Sequence, residues 1–239
     1  MGRPLVGPRL GSPRVHLRRI DSTNALARDL ASRGAPHGTL VTATEQVAGR
    51  GRQGRGWTAR PGASLVCSWV VRDPSPLLSL AAGAAVAEVC GVAARVKWPN
   101  DVLIDGRKVA GILVEGRPQE AWAVLGIGIN VALLPQDFPQ ELQGRAGSLG
   151  LTQADVDPTL VRLGSALEHW LPVPGADVLA EVRTRDVLLG QTVTWANGTG
   201  TAAGIDESGR LVVRLADGGE ARLDAGEVHL AAKGSPIPS

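Results

Sequence analysis

The segment that most restricts the fold of this chain is EQVAGRGRQGRGWTA, at residues 45–59. Four glycines and three arginines occupy the nine positions from Gly49 to Trp57, so ordering the segment costs backbone entropy and brings like charges together. The apolar stretches on either side, GTLVTATEQ and ASLVCSWVV, are typical of strands. The segment is therefore predicted to be a loop between two strands, and its charge predicts an anionic ligand.

The composition indicates a globular protein whose positive charge is local. The 239 residues are 44% hydrophobic, which permits a sizeable core in one or two domains. The 25 Lys and Arg nearly balance the 23 Asp and Glu, which argues against nonspecific nucleic-acid binding. Cys67 and Cys90 have neither CxxC nor zinc-ligand spacing, so a reducing compartment is favoured and we expect a cytoplasmic protein.

Alternating helix and strand patterns follow along the chain. The apolar run from Leu77 to Ala94 is predicted to be a buried core helix, because Glu88 and two glycines make it a poor membrane span. Strands are predicted in VKWPNDVLIDGRKVAGILVE, with a hairpin turn at Asp105-Gly106, and in EAWAVLGIGINV. The other predicted helices are DSTNALARDLASRG, DPTLVRLGSALEHWL with Asp157 as its cap, and GADVLAEVRTRDVLLG.

From Gln191 onward the sequence pattern predicts short strands separated by the turn sequences NGTG, DESGR and ADGGE. This pattern indicates a small all-β module. The first residues are rich in Pro and Gly and lack the apolar run of a signal peptide or membrane anchor, so no membrane association is expected. The predicted domain organisation is a flexible leader at 1–14, a main domain of alternating helices and strands at 15–187, a β-module at 188–233 and a tail at 234–239.

Three groups of residues could carry chemistry. In the loop, backbone N–H groups could converge on an anion, and Arg50 and Arg52 could bind phosphate or carboxylate bidentately. The loop does not have the Walker pattern, and a solvated surface loop or an RGG-like nucleic-acid segment would also fit it.

The other two groups decide little on their own. In KWPND and the DGRKVAGILVE that follows, Lys108 comes after a tight turn and leads a strand, which would hold its side chain on a rigid support. In GIGINV, Asn130 places an amide among apolar residues, where it must find a partner. An ordinary turn and ordinary core packing explain both as well.

The order of these motifs is more specific than any one of them. DSTN, EQVAGRGRQGRGW, VKWPND, GRKVAGILVE, GIGINV and the C-terminal AAGIDESGRLVVRLADG with AGEV closely resemble the biotin protein ligase family, over 15–230. The resemblance implies an α+β fold: a mixed β-sheet with flanking helices, related to that of class II aminoacyl-tRNA synthetases, and a small C-terminal SH3-like β-barrel. Because so few residues precede the motifs, it also implies the monofunctional form without a DNA-binding domain, as a monomer or homodimer that does not bind DNA.

The reaction that the resemblance implies has two steps. Biotin is activated by ATP, with Mg2+, to biotinyl-5'-AMP and pyrophosphate, and a lysine of a biotin carboxyl carrier domain then attacks the mixed anhydride. Both steps develop charge on oxygen, so fixed cationic donors are the expected catalytic apparatus. A lipoate ligase would share the fold and the adenylation, and stays an alternative.

Site residues are implied by the same resemblance. The residues expected to hold the ureido group of biotin are Ser22, Thr23, Asn24 and Gln46. Those expected at its carboxylate and at the α-phosphate are Arg50, Gly51, Arg52 and Lys108, of which Arg50, Arg52 and Lys108 are catalytic. Trp57, Gly128 and Asn130 are expected at the nucleotide, with a second nucleotide-binding stretch at 134–148, and no protein side chain is identified as a metal ligand. Lys97 and Asn100 also lie in a family motif, and the sequence fits a structural role in that turn as well as it fits a role in the site.

Overall fold

The computed structural model describes residues 10–57, 60–117, 120–224 and 228–230. Twelve strands and four α-helices are present in these residues. The strands are β1 Arg14–Ile20, β2 Leu40–Gln46, β3 Ser64–Arg72, β4 Arg95–Lys97, β5 Asp101–Ile104, β6 Arg107–Arg117, β7 Trp122–Asn130, β8 Thr192–Trp195, β9 Gly198–Ile205, β10 Leu211–Arg214, β11 Glu220–Leu223 and β12 His229–Leu230. The helices are α1 Thr23–Ser32, α2 Leu78–Cys90, α3 Val156–Trp170 and α4 Gly175–Thr184.

The first seven strands form a mixed sheet in the order β1-β2-β3-β7-β6-β5-β4, in which only β1 and β2 are parallel. The central strands β3 and β7 are buried along almost their whole length, because helices cover both faces of the sheet. Helix α2 packs on one face together with α3 and α4. On the other face α1 packs against part of the sheet, through residues such as Ala27 and Ala31, and the rest of that face carries the site described below.

Helix ends differ in detail from the sequence predictions. Helix α2 ends at Cys90, not at Ala94, because Gly91 adopts a φ of 100° that terminates it. Helix α3 begins at Val156 after a 3-10 turn, so Asp157 lies inside its first turn and is not the cap. Helix α4 ends at Thr184, and the chain then runs beside the sheet edge, with Val187 N–H donating to the carbonyl of Val96.

The predicted flexible leader is wrong for its last five residues. Gly11 N–H donates to the carbonyl of Gly38, Leu40 N–H donates to the carbonyl of Pro13, and Arg14 already belongs to β1. Leu10 packs against the main core. Residues 1–9, like the tail at 234–239, lie outside the described residues, and the predicted domain boundaries themselves stay a prediction.

The last five strands form one antiparallel sheet in the order β11-β10-β9-β8-β12. It is joined to the larger domain by hydrogen bonds that include one from Trp98 Nε1 to the carbonyl of Gly209, at 2.9 Å, and two from the Arg183 guanidinium to the carbonyl of Ile205, at 2.9 and 2.7 Å. Trp98 is 2% exposed, so its indole is a buried tether between the two sheets. Among the described residues, no helix has both the length and the apolar character needed to cross a membrane.

We expect the Trp98→Phe variant to lose about 2 kcal/mol of unfolding free energy, because the Gly209 carbonyl loses its donor and part of the buried ring volume is left empty. Urea denaturation followed by tryptophan fluorescence measures the loss. Trp170→Phe is the matched control: Trp170 is half-buried and its indole donates to Glu88 in an exposed hydrogen bond, so we expect a loss below about 1 kcal/mol. Equal losses of unfolding free energy in the two variants would contradict the role of Trp98 in linking the two sheets.

Candidate active site

All eleven predicted site residues line one cavity of about 700 Å3 on the α1 side of the larger sheet. A cavity of similar size, about 720 Å3, lies between α2, α3 and the segment at Leu10, but it contains none of them. In that second cavity the Arg72 guanidinium is already bonded to the carbonyls of Ala31 and Ala35. We therefore assign the site to the first cavity.

Glycines in the floor of this cavity leave room for the side chains that lie on it. Val66, Gly128 and Gly111 lie side by side on three neighbouring strands, and in the next row Ser68, Gly126 and Leu113 do the same. A Cβ on Gly128 would lie 2.5 Å from Cε2 of Trp57, and a Cβ on Gly126 would overlap the amide of Asn24. The glycines of GIGINV are therefore required by side chains that lie flat on the sheet.

The Gly-Arg loop is folded as a small hairpin over the cavity. Arg50 and Gly56 form an antiparallel bridge, Gly51 N–H donates to the carbonyl of Arg55 at 2.7 Å, and Trp57 N–H donates to the carbonyl of Gly49 at 2.9 Å. Its turn contains Gln53 and Gly54, at φ values of 56° and 74°. The loop is thus closed by its own backbone hydrogen bonds.

KWPND connects this loop to the sheet. Arg52 Nη1 donates to Asn100 Oδ1 at 3.1 Å, and Asn100 Nδ2 donates to the carbonyl of Ile112 at 3.0 Å. The neighbouring Asp101 Oδ1 lies 2.6 Å from Lys108 Nζ. The sequence left open whether the motif is a structural turn; the contacts show that it holds both an arginine of the loop and the lysine of β6.

Lys108 is fixed by its backbone as well as by Asp101. It follows the Asp105-Gly106 turn, whose φ values of 49° and 74° confirm the predicted hairpin. Its N–H donates to the carbonyl of Arg145 and its carbonyl accepts from Gly147 N–H, at 2.9 and 2.8 Å. Its ammonium lies 5.8 Å from the centroid of the Trp57 ring, within the range of a cation–π contact.

A buried polar cluster forms the end of the cavity next to α1. Gln46 Oε1 accepts from the backbone N–H and the hydroxyl of Thr23, at 2.7 and 2.9 Å. Ser68 Oγ lies 2.6 Å from Asn24 Oδ1 and 2.8 Å from Thr23 Oγ1. Sequence reasoning missed Ser68, although a serine inside the apolar strand ASLVCSWVV was a usable signal.

Asn130 has partners within the protein. Its Nδ2 donates to the carbonyl of Gly147 at 2.8 Å, and its Oδ1 lies 3.5 Å from Ser64 Oγ. The amide therefore holds part of 134–148 against the sheet, and its role toward a nucleotide stays a prediction. Other residues of that stretch also line the cavity: Phe138, Leu142, Gly144, Arg145 and Ala146.

The C-terminal sheet contributes His229 and Leu230 to the cavity wall. No sequence pattern pointed to them, because they come from a different sheet and from a two-residue strand. The cavity is therefore built from both domains.

The charge in the cavity strongly favours an anion. Six lysines and arginines line it, and Asp101 is the single carboxylate among the described lining residues. The six are Arg50, Arg52, Arg55, Lys97, Lys108 and Arg145. No group of three His, Cys, Asp or Glu side chains that could hold a metal ion occurs in the part of the chain that the structure describes.

The cysteines do not supply a nucleophile. Cys67 lies in β3 beneath the cavity, where burial raises the pKa of its thiol well above the usual value. Burial likewise raises the pKa of Cys90 to about 12. A thiol at such a pKa stays protonated at neutral pH, so neither cysteine is suited to attack a substrate.

Two family profiles match this chain. The profile of the biotin/lipoate A/B protein ligase family covers residues 16–131, and that of the biotin protein ligase C terminal domain covers residues 187–230. These matches place the chain in the class of biotin and lipoate protein ligases, and the fold and the cationic cavity are compatible with that class.

Similar proteins narrow the class. The biotin--[acetyl-CoA-carboxylase] ligase of Paracoccus denitrificans is 35% identical over 225 residues, 83% of this chain and 92% of that protein. The bifunctional ligase/repressor BirA of Bacillus subtilis is 43% identical over 142 residues, 54% of this chain, and the match spans only 44% of that longer protein. The biotin protein ligase from Aquifex aeolicus in complex with biotin and ATP has a TM-score of 0.74 and 27% identity, covering 91% of this chain and 98% of its own.

The chain belongs to the biotin protein ligase family. This confirms the predicted ligase class and the mixed sheet with flanking helices. It also confirms a C-terminal domain of this family, which in the described residues is an antiparallel five-stranded sheet.

Proposed function

We propose that this chain catalyses both steps of ATP-dependent biotin transfer. In the first, a biotin carboxylate oxygen attacks the α-phosphorus of ATP, the bond to the bridging oxygen breaks, and pyrophosphate leaves. In the second, a lysine amine of a carrier domain attacks the carbonyl carbon of biotinyl-5'-AMP, AMP leaves, and the amine loses a proton. The observation that carries the proposal is a single cavity with buried amide and hydroxyl groups at one end and the cationic loop over it.

The polar end suits the ureido group of biotin. A ureido group has one carbonyl acceptor and two N–H donors, so it needs both kinds of partner in a dry pocket. Ser22, Thr23 and Asn24, at 2, 3 and 4% exposure, and the amide of Gln46 offer both. A lipoyl dithiolane would leave these groups unpaired, which costs free energy when they are buried.

The cationic end suits the carboxylate and the phosphates. Arg50, Arg52 and Lys108 would stabilise charge that develops on the reacting oxygens, and Gly51 would offer its backbone. Trp57, Gly128 and Asn130 would contact the adenylate. The indole N–H of Trp57 is buried and has no hydrogen-bond partner among the described residues, so a ligand acceptor beside it would satisfy this buried donor.

Magnesium would enter with the nucleotide. Mg2+ is usually held by one or two carboxylates together with substrate phosphates, which fits a cavity that has only Asp101 among its described lining carboxylates. Bound there, it would neutralise phosphate charge and help pyrophosphate to leave.

We further propose a cytoplasmic location, a carrier domain of a biotin-dependent carboxylase as the partner, and a monomeric or homodimeric state.

Mass spectrometry tests the function. A biotin carboxyl carrier domain incubated with the protein, ATP, magnesium and biotin should gain the mass of one biotinyl group on its target lysine. The same reaction with lipoate, and the carrier with its target lysine replaced by arginine, serve as controls. No gain with biotin, or an equal gain with lipoate, would refute the proposal.

A further inference from the structure

Glu115, a glutamate that does not line the cavity, is hydrogen-bonded to Asn24 in the buried polar cluster. Glu115 Oε2 accepts a hydrogen bond from Asn24 Nδ2 at 2.8 Å, and Glu115 Oε1 accepts one from Arg28 Nη1 at 2.9 Å. Each carboxylate oxygen therefore has its own donor. The Glu115 and Arg28 side chains are 24 and 44% exposed, so the ion pair lies at the edge of the buried cluster.

Glu115 decides which way the Asn24 amide points. An ionised carboxylate only accepts hydrogen bonds, so the atom of Asn24 that faces it must be the NH2 group. The oxygen then faces Ser68 Oγ at 2.6 Å and lies over Gly126 on the cavity floor. The carbonyl of Leu113 favours the same orientation, but at 3.4 Å its bond is weaker.

In the buried polar cluster, the hydroxyl hydrogens of Thr23 and Ser68 cannot supply every oxygen that lies within hydrogen-bond distance of them. The Thr23 backbone N–H fixes the oxygen of Gln46 toward Thr23, so the Thr23 hydroxyl donates to that oxygen. Ser68 has a single hydroxyl hydrogen, yet Thr23 Oγ1 and Asn24 Oδ1 both lie within hydrogen-bond distance of it. A ligand N–H directed at this end would supply the missing donor.

We propose that Glu115 is a positioning residue for biotin: by orienting Asn24 it makes the pocket accept a hydrogen bond from the ureido N–H. Arg28 supports this role because it occupies the second carboxylate oxygen and keeps a positive charge beside it. The proposal rests on the proposed function, and it assigns Glu115 no contact with substrate.

The Glu115→Gln substitution is expected to reverse the orientation of the Asn24 amide. The amide that replaces the carboxylate has one oxygen, and Arg28, which can only donate, would take it. The new NH2 group would then face Asn24, whose amide would turn its own NH2 group toward the cavity floor. We expect the KM for biotin in pyrophosphate exchange to rise about tenfold, with the KM for ATP and kcat within about twofold of wild type.

Removing Arg28 as well is expected to repair the defect. In Arg28→Met/Glu115→Gln the amide oxygen is free to accept from Asn24, so the KM for biotin should return to within about threefold of Arg28→Met alone. Asp29→Asn is the matched control, because it removes a neighbouring carboxylate of α1 that pairs with Arg33, and it should behave as wild type.

A residue with only a structural role would change the melting temperature without separating the two KM values. An unchanged KM for biotin in Glu115→Gln, or a double variant as poor as that single variant, would overturn the proposal. If Glu115→Gln does not fold, the double variant carries the test, and failure to fold or to bind biotin there counts against it. An inactive wild-type protein would refute the proposed function itself, before any variant is compared.

Discussion

Lys108→Met is expected to lower the rate of adenylate formation by about two to three orders of magnitude while changing the dissociation constant of biotin by less than about threefold. The ammonium is most needed when charge moves onto the phosphate oxygens, so its loss acts on the transition state more than on the ground state. Pyrophosphate exchange measures the rate, and calorimetry with biotin measures binding.

The structure explains why Lys108 is suited to this role. Its backbone is held between β5 and the strand-like segment at 145–147, and Asp101 holds its ammonium, so little reorganisation is needed when the substrates react. Arg107→Met is the matched control: it removes the adjacent cation, whose exposed side chain is not among those lining the cavity. Equal losses of biotin binding and turnover in Lys108→Met would contradict this assignment.

The sequence predicted the parts of the site that are continuous along the chain. Gly49 to Trp57 had to be a loop, because no core residue precedes Trp57 and apolar strands flank the segment on both sides. The Asp105-Gly106 hairpin followed from local turn chemistry, which places Lys108 at a strand start. The resemblance then named the eleven residues that line one cavity.

The residues that sequence reasoning missed depend on contacts between distant segments. Ser68 and Glu115 are ordinary strand residues until the pairing of β3, β7 and β6 places them next to α1. His229 lies at the cavity because the second sheet docks against the larger one, through contacts that include Trp98 and Arg183. The leader prediction failed for a similar reason: Pro and Gly indicate irregular backbone, but they do not exclude pairing with residues far along the chain, as at Gly11 and Gly38.

The Asn100 amide also shows how a turn former acquires a second role. Asn100 Nδ2 is bound to the carbonyl of Ile112 in β6, which leaves Oδ1 as the acceptor for Arg52. The rigid sheet therefore positions a residue of the glycine-rich loop through one side chain. Such a link gives the loop a preferred closed position at a small entropic cost, because the acceptor is already in place.

Arg52→Gly is therefore expected to make biotinyl-5'-AMP but to retain it poorly. The variant loses both the bond to Asn100 and a cation over the adenylate, and charge-assisted hydrogen bonds of this kind correspond to an increase of about 10- to 100-fold in the dissociation rate. Released adenylate acylates lysines on unrelated proteins. Biotinylation of a bystander protein such as serum albumin, with ATP and biotin present and no carrier domain, measures the release.

Gln53→Gly separates loss of the arginine from added loop flexibility. Gln53 has a φ of 56°, in the region that favours glycine, so the substitution adds a fifth glycine to the loop without opposing its conformation. We expect this variant to label the bystander protein as little as wild type, and Arg52→Lys to give an intermediate level because it keeps the charge but not the planar donor geometry. Strong bystander labelling by Gln53→Gly would mean that the contacts of Arg52 are not sufficient to retain the adenylate.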